Sequence, residues 1–131
     1  MEFELQSSRP IWQQLAEQLA RRIVTGVYPP GSRFPTVREL AADAGVNPNT
    51  MQRALGQLES EGLVITNRTA GRTVTEDVGV LDSMRQRLAA ELTEQFFSAM
   101  KELGFSRAQA AELAAAGRVS DVIQSRQNGG I

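Results

Sequence analysis

The sequence predicts a mainly α-helical chain with one small β-hairpin: a three-helix head carrying the hairpin, then a C-terminal two-helix arm. Three observations carry this expectation. Before residue 62, apolar residues recur at three- and four-residue spacing in three segments, with helix start and stop residues between them. Two β-rich runs, Leu63-Val64-Ile65-Thr66 and Thr73-Val74-Thr75, flank a polar tip from Asn67 to Arg72. Beyond Gly79 a longer amphipathic pattern begins and is broken at Gly104.

Residues 2–8 form a short lead, read as extended. Ile11, Leu15, Leu19 and Ile23 then mark a helix face widened by Trp12 and Ala16, with Pro10 in the first turn and Gly26 as the stop. Pro29-Pro30-Gly31 forces a turn. Thr36 followed by Glu39 is a capping box, opening a helix through Leu40 and Ala41 to Ala44 that ends on a left-handed Gly45. The third helix, about residues 48–61, takes Asn47 as N-cap and Pro48 as first residue. It turns Met51, Ala54, Leu55 and Leu58 inward and stops at Gly62. The hairpin occupies about residues 63–75, and Glu76-Asp77-Val78-Gly79 reads as a hinge.

A long helix is expected over about 80–103, with Leu81, Met84, Leu88, Leu92, Phe96 and Met100 on one face. Ser106 with Gln109 is a second capping box and opens a short Ala-rich helix ending near Gly117. A further helical turn is expected within 118–131. The domain division that follows is 1–77 for the head and 78–131 for the arm.

Composition excludes several chemistries. The chain has no Cys and no His, which removes disulfides, thiolate sites and imidazole ligands or bases. No nucleophile elbow, phosphate-binding loop or carboxylate cluster with metal spacing is present, so no enzyme activity and no cofactor are expected. Nothing approaches an 18-residue apolar run, and no basic-then-apolar leader opens the chain; a cytoplasmic protein without membrane association is expected.

Helix, helix, helix, hairpin is the order of a winged helix-turn-helix, whose third helix lies in a DNA major groove. The charge balance argues weakly against this. Through Thr75 there are eight arginines against seven acids, and the whole chain is at −1. Any DNA contact must therefore come from local placement of charge. Of the 14 basic residues only Lys101 is a lysine; arginine suits bidentate contacts to bases and phosphates, and a GC-rich genome that favours arginine codons is an equal explanation.

The motifs PPGSRFPTVRELA, AGVNPNTMQRALGQLESEGLV and the closing GRTV, in this order and spacing, resemble the GntR family of bacterial transcription regulators across about residues 10–77. The short helical tail resembles the YtrA-type subfamily, whose C-terminal part is a small dimerisation unit. The resemblance implies that Arg38 touches DNA, that Asn47, Asn49 and Thr50 open the recognition helix, and that Arg68, Thr69 and Gly71 form the wing tip in the adjacent minor groove. It departs at Pro48 and Gln52, where many relatives carry Arg. Gln52 instead suits a bidentate contact to adenine, and Arg53 a phosphate or guanine. Arg72 and Arg33 are read as phosphate neighbours.

Each assignment has a plainer counterpart. Arg38 could pair with Glu39 or Glu59, Arg53 with Glu59 or Gln57, and Asn49 and Thr50 could merely satisfy a helix end. Trp12 and Phe34 are read as core. The stripe Leu81, Met84, Leu88, Leu92, Phe96 and Met100 is too apolar for two helices to bury alone, and is read as a homodimer interface. The combined expectation is a homodimeric regulator, most often a repressor, on an inverted-repeat (palindromic) double-stranded operator. An unidentified small-molecule effector is allowed for at the hinge or between subunits. The rival readings are a winged helix used for protein docking, which would expose apolar residues at the start of the third helix, and a metabolite-binding or catalytic protein.

Overall fold

Four-residue recurrence of Leu15, Leu19 and Ile23 sets the buried side of the first helix, α1 (Ile11–Val24), where all three are at most 1% exposed. The computed structural model describes residues 2–69 and 71–117. Within them α1 is followed by α2 (Val37–Ala44), α3 (Pro48–Ser60), the strands β1 (Val64–Asn67) and β2 (Gly71–Val74), α4 (Val78–Glu102) and α5 (Arg107–Ala115). This is a winged helix-turn-helix followed by a helical arm. The further turn expected within 118–131 lies outside the described residues.

Local chemistry sets the ends of α2 and α3. The Thr36 hydroxyl accepts from the Glu39 N–H, and the Glu39 carboxylate accepts from the Thr36 N–H, each at 3.1 Å. Gly45, at φ 67°, takes the left-handed turn that lets the Val46 N–H donate to the Ala41 carbonyl at 3.0 Å. Two residues on, Asn47 Oδ1 accepts from the Asn49 N–H at 2.7 Å and starts α3 on Pro48. The core is made where α1 and α2 pack on α3: Met51, Ala54, Leu55 and Leu58 are fully buried with Phe34, Leu40, Leu63, Val64 and Val74. Truncating such a leucine to alanine costs about 2–5 kcal/mol.

The hairpin is antiparallel, with Val64 opposite Val74 and Asn67 opposite Gly71. The turn at Pro29-Pro30-Gly31 carries the chain back onto β2. There the Val74 N–H donates to Ser32 (2.9 Å) and the Phe34 N–H to Arg72 (2.8 Å), with a bridge between Arg33 and Thr73. The free edge of β2 is thereby paired.

The lead before α1 is held by glutamines. Gln14 and Gln18 each grip the main chain with both ends of the amide: Gln18 bonds the N–H and carbonyl of Glu4, and Gln14 those of Gln6. Four helical residues rise about 6.0 Å and two extended residues about 6.6 Å, so this i, i+4 pair matches alternate residues of the lead. Phe3 and Leu5 pack against the core, and the Arg22 guanidinium lies 4.0 Å over the Phe3 ring.

Three expectations need correction. Val78 and Gly79 do not form a hinge; they are the first turn of α4, because Asp77 Oδ1 accepts from the Gly79 and Val80 N–H groups. Met84 and Leu88, expected at a subunit interface, are 5% and 7% exposed and belong to the core of the head. Leu81 packs against the same core. The first compact unit reaches Leu88 and the second begins at Ala89. Arg85 reinforces this docking by donating to the Val24 carbonyl at the end of α1 (2.9 Å). Thirdly, Trp12 is half-buried and lies outside the core cluster.

The second unit holds the rest of α4 with α5. Ser106 and Gln109 form the capping box, Ala110 is buried, and the Arg107 guanidinium sits 4.0 Å over Phe97 while paired to Glu94 at 2.7 Å. Leu92 is 49% and Leu103 73% exposed, with Phe96 and Met100 half-buried.

Candidate nucleic-acid interface

The apolar residues of α3 point into the core, and this leaves Asn49, Gln52, Arg53 and Gly56 on the opposite, exposed face. Their spacing of three, four and seven residues places them in one stripe along the helix. It carries two side-chain amides, a guanidinium and a bare backbone, with no acid and no large apolar group. Thr50 is half-buried beside it. Asn47 is exposed too, but its Oδ1 is committed to the cap, which leaves its amide NH2 for any other partner.

The near-neutral charge count resolves once the pairs are placed. Glu59 pairs with Arg72 Nε and accepts from the Thr66 hydroxyl at 2.9 Å. The Arg72 hydrogen bond, chiefly, holds the Glu59 carboxyl below its ordinary range, against the opposing effect of burial. Glu61 pairs with Arg87 of α4. The acids at the end of α3 are thus neutralised by the wing and by α4. Arg33, Arg38, Arg53 and Arg68 are all exposed and have no acidic partner among the described residues. The plainer pairings of Arg38 with Glu39 or Glu59, and of Arg53 with Glu59, are absent among these residues.

Arg38 stands in the first turn of α2, and Arg68 and Thr69 at the exposed tip between β1 and β2. Gly71, at φ 71°, opens β2 opposite Asn67. Arg72 differs from expectation: it is half-buried, and its Nε is spent on Glu59, so it braces the wing against α3. Two features went unread in the sequence. One is this brace; the other is a stack in which the Arg53 guanidinium lies 4.3 Å over the Trp12 ring of α1. Neither has a local signature, because each joins elements through the fold. Among the described residues no group of three or more acidic side chains is placed to hold a metal ion, and no helix is long and apolar enough to cross a membrane.

Residues 11–74 match the family described as bacterial regulatory proteins, gntR family. The HTH-type transcriptional regulator YhcF of Bacillus subtilis is 38% identical over 112 residues, covering 86% of this chain and 93% of YhcF. The HTH-type transcriptional repressor YtrA of the same organism is 36% identical over 77 residues, 59% of each chain. A GntR family transcriptional regulator from Listeria monocytogenes has a similar structure, with a TM-score of 0.75 at 34% identity over 87% of this chain and 100% of that one. By motif, by fold and by the extent of these matches, the chain belongs to the gntR family of bacterial regulatory proteins, in its YtrA-like branch.

Proposed function

We propose that this protein is a cytoplasmic, non-enzymatic transcription repressor that binds an inverted-repeat operator as a homodimer. The observation that carries the reading is the exposed stripe of α3: Asn49, Gln52 and Arg53 around Gly56, on a helix whose one acid, Glu59, and whose C-cap Glu61 are both paired to arginines off the stripe. Side-chain amides pair bidentately with adenine, and guanidinium with guanine or phosphate. In this reading α3 enters the major groove and Asn49, Thr50 and Gln52 read base edges. Arg38 and the amide of Asn47 hold the backbone, while Arg68, Thr69 and Gly71 follow the neighbouring groove. A protein-docking winged helix would present apolar side chains on that stripe, and it has none.

Two heads are needed to read two half-sites. We place the subunit contact on the second half of the apolar stripe, at Leu92, Phe96 and Met100, where Leu92 remains half-exposed within its own chain. For an effector the head offers a groove of about 510 Å³ lined by Glu61, Asp77, Val80, Ser83, Met84 and Arg87, beside the start of α4. Repression then consists of occupying a promoter, and release of a small change at that groove.

Selection of duplexes from a random pool tests the reading. It should enrich a two-fold symmetric sequence bound by two chains. Enrichment of an asymmetric sequence bound by one chain would contradict it.

A further inference from the structure

We propose that Trp12 is a positioning residue for DNA binding, a platform on α1 that holds the Arg53 guanidinium of α3 ready for a backbone phosphate. The inference rests on reading α3 as the recognition helix. Trp12 occupies the first turn of α1, half-buried, and lies outside the core cluster that Leu15, Leu19 and Ile23 of the same helix help to build. Its ring instead lies 4.3 Å beneath the Arg53 guanidinium. Arg53 has no acidic partner among the described residues, so no carboxylate among them neutralises its charge. A guanidinium held over an indole face loses rotamer freedom before any ligand arrives. That is preorganisation for an anion.

The position selects which anion. Arg53 shares the exposed stripe with Asn49 and Gln52, yet its contact is to α1, so the stack draws it to the α1 edge of that stripe. A side chain held at the edge of a helix lying in a groove meets the sugar-phosphate wall, while the residues at the centre meet bases. Arg53 therefore contributes affinity and salt dependence, and not base preference.

The test uses full-length protein and a duplex that it selects from a random pool, with a scrambled duplex beside it. Arg53→Gln should weaken binding to both duplexes by about tenfold and reduce the slope of log affinity against log salt by about 0.9 per lost phosphate contact. Trp12→Leu should weaken both by about threefold and lower the slope in the same direction, while Trp12→Phe restores most of the loss. In the Arg53→Gln background, Trp12→Leu should change nothing further. The chain has a single tryptophan, so its emission reports the platform directly and should respond both to Arg53→Gln and to added DNA. A Trp12→Leu loss that persists in full without Arg53, in a protein whose thermal melting is unchanged, overturns the proposal. A change in base preference on Arg53→Gln overturns the phosphate assignment. Retention of the selected sequence by every variant keeps the recognition-helix reading intact even where the platform fails; a wild-type protein that selects no duplex defeats both.

Discussion

Asn47 and Asn49 lie two residues apart at the start of α3 and have different work. Asn47 Oδ1 takes the Asn49 N–H, satisfying one of the donors that every helix start leaves open. The Asn49 side chain is exposed and has no such task. Loss of a cap costs about 0.5–2 kcal/mol of stability, whereas loss of one bidentate base contact costs about 1–3 kcal/mol of discrimination. Asn47→Ala should therefore lower the melting temperature with little change in which sequence is preferred. Asn49→Ala should do the reverse, levelling affinities between selected and scrambled duplexes while melting unchanged. Competition binding beside a thermal melt separates the two, and a shared phenotype would show the division to be wrong.

At this scale the sequence was legible where a side chain acts on its own neighbourhood. Thr36 with Glu39, Ser106 with Gln109, Asn47 before Pro48 and Gly45 after Ala44 each form the local bond that their spacing implies. Arg72 and Trp12 were not legible. Their partners, Glu59 and Arg53, are far along the chain and are brought close only by packing of the wing and of α1 on α3.

Among the elements, α3 carries a glycine where a helix gains nothing from one. Gly56 is exposed, and a Cβ there would meet nothing within 4 Å. Gly56→Ala should raise stability by about 1 kcal/mol, since glycine in a helix interior is less favourable than alanine by that amount. A shift of the urea midpoint gives the answer; destabilisation would mean that the helix is strained at this point. The same substitution should weaken DNA binding if the backbone there approaches the groove wall, which is the use that a bare position on this stripe has.

The wing is tied to α3 by Glu59, and this tie depends on pH. The Glu59 carboxyl is held below its ordinary value in the fold, chiefly by the Arg72 hydrogen bond. Its contribution is therefore fully present above the unfolded carboxylate pKa and is lost as pH falls through the lowered folded value. Glu59→Gln should melt earlier than wild type at neutral pH, and the two should converge as pH falls below the ordinary carboxylate range. A difference that stays constant through that range would assign the effect to packing. The pairing was invisible in the sequence, where Arg72 reads as one more exposed cation of the wing.

For the whole molecule, the apolar stripe of α4 divides in two. Met84 and Leu88 close the core of the head, while Leu92, Phe96 and Met100 lie in the second unit. A helical period alone cannot separate these uses, because both halves repeat at three and four residues; only the packing of Met84 and Leu88 on the head distinguishes them. The division makes opposite predictions. Leu88→Ala should destabilise the head by about 2–5 kcal/mol without a dependence on protein concentration. Leu92→Glu should leave the head folded and shift the chain from dimer to monomer in sedimentation velocity. A dimer that survives Leu92→Glu would move the interface elsewhere.

In the proposed function the α3 stripe reads DNA, two heads at a time. Fluorescence-anisotropy titration of the wild-type protein tests it most directly, using a labelled duplex from the promoter of its own gene against a scrambled duplex across a salt series. Saturation is expected at two chains per promoter duplex, with an affinity gap over the scrambled duplex that persists as salt rises. Equal affinity for both duplexes, falling together with salt, would contradict it.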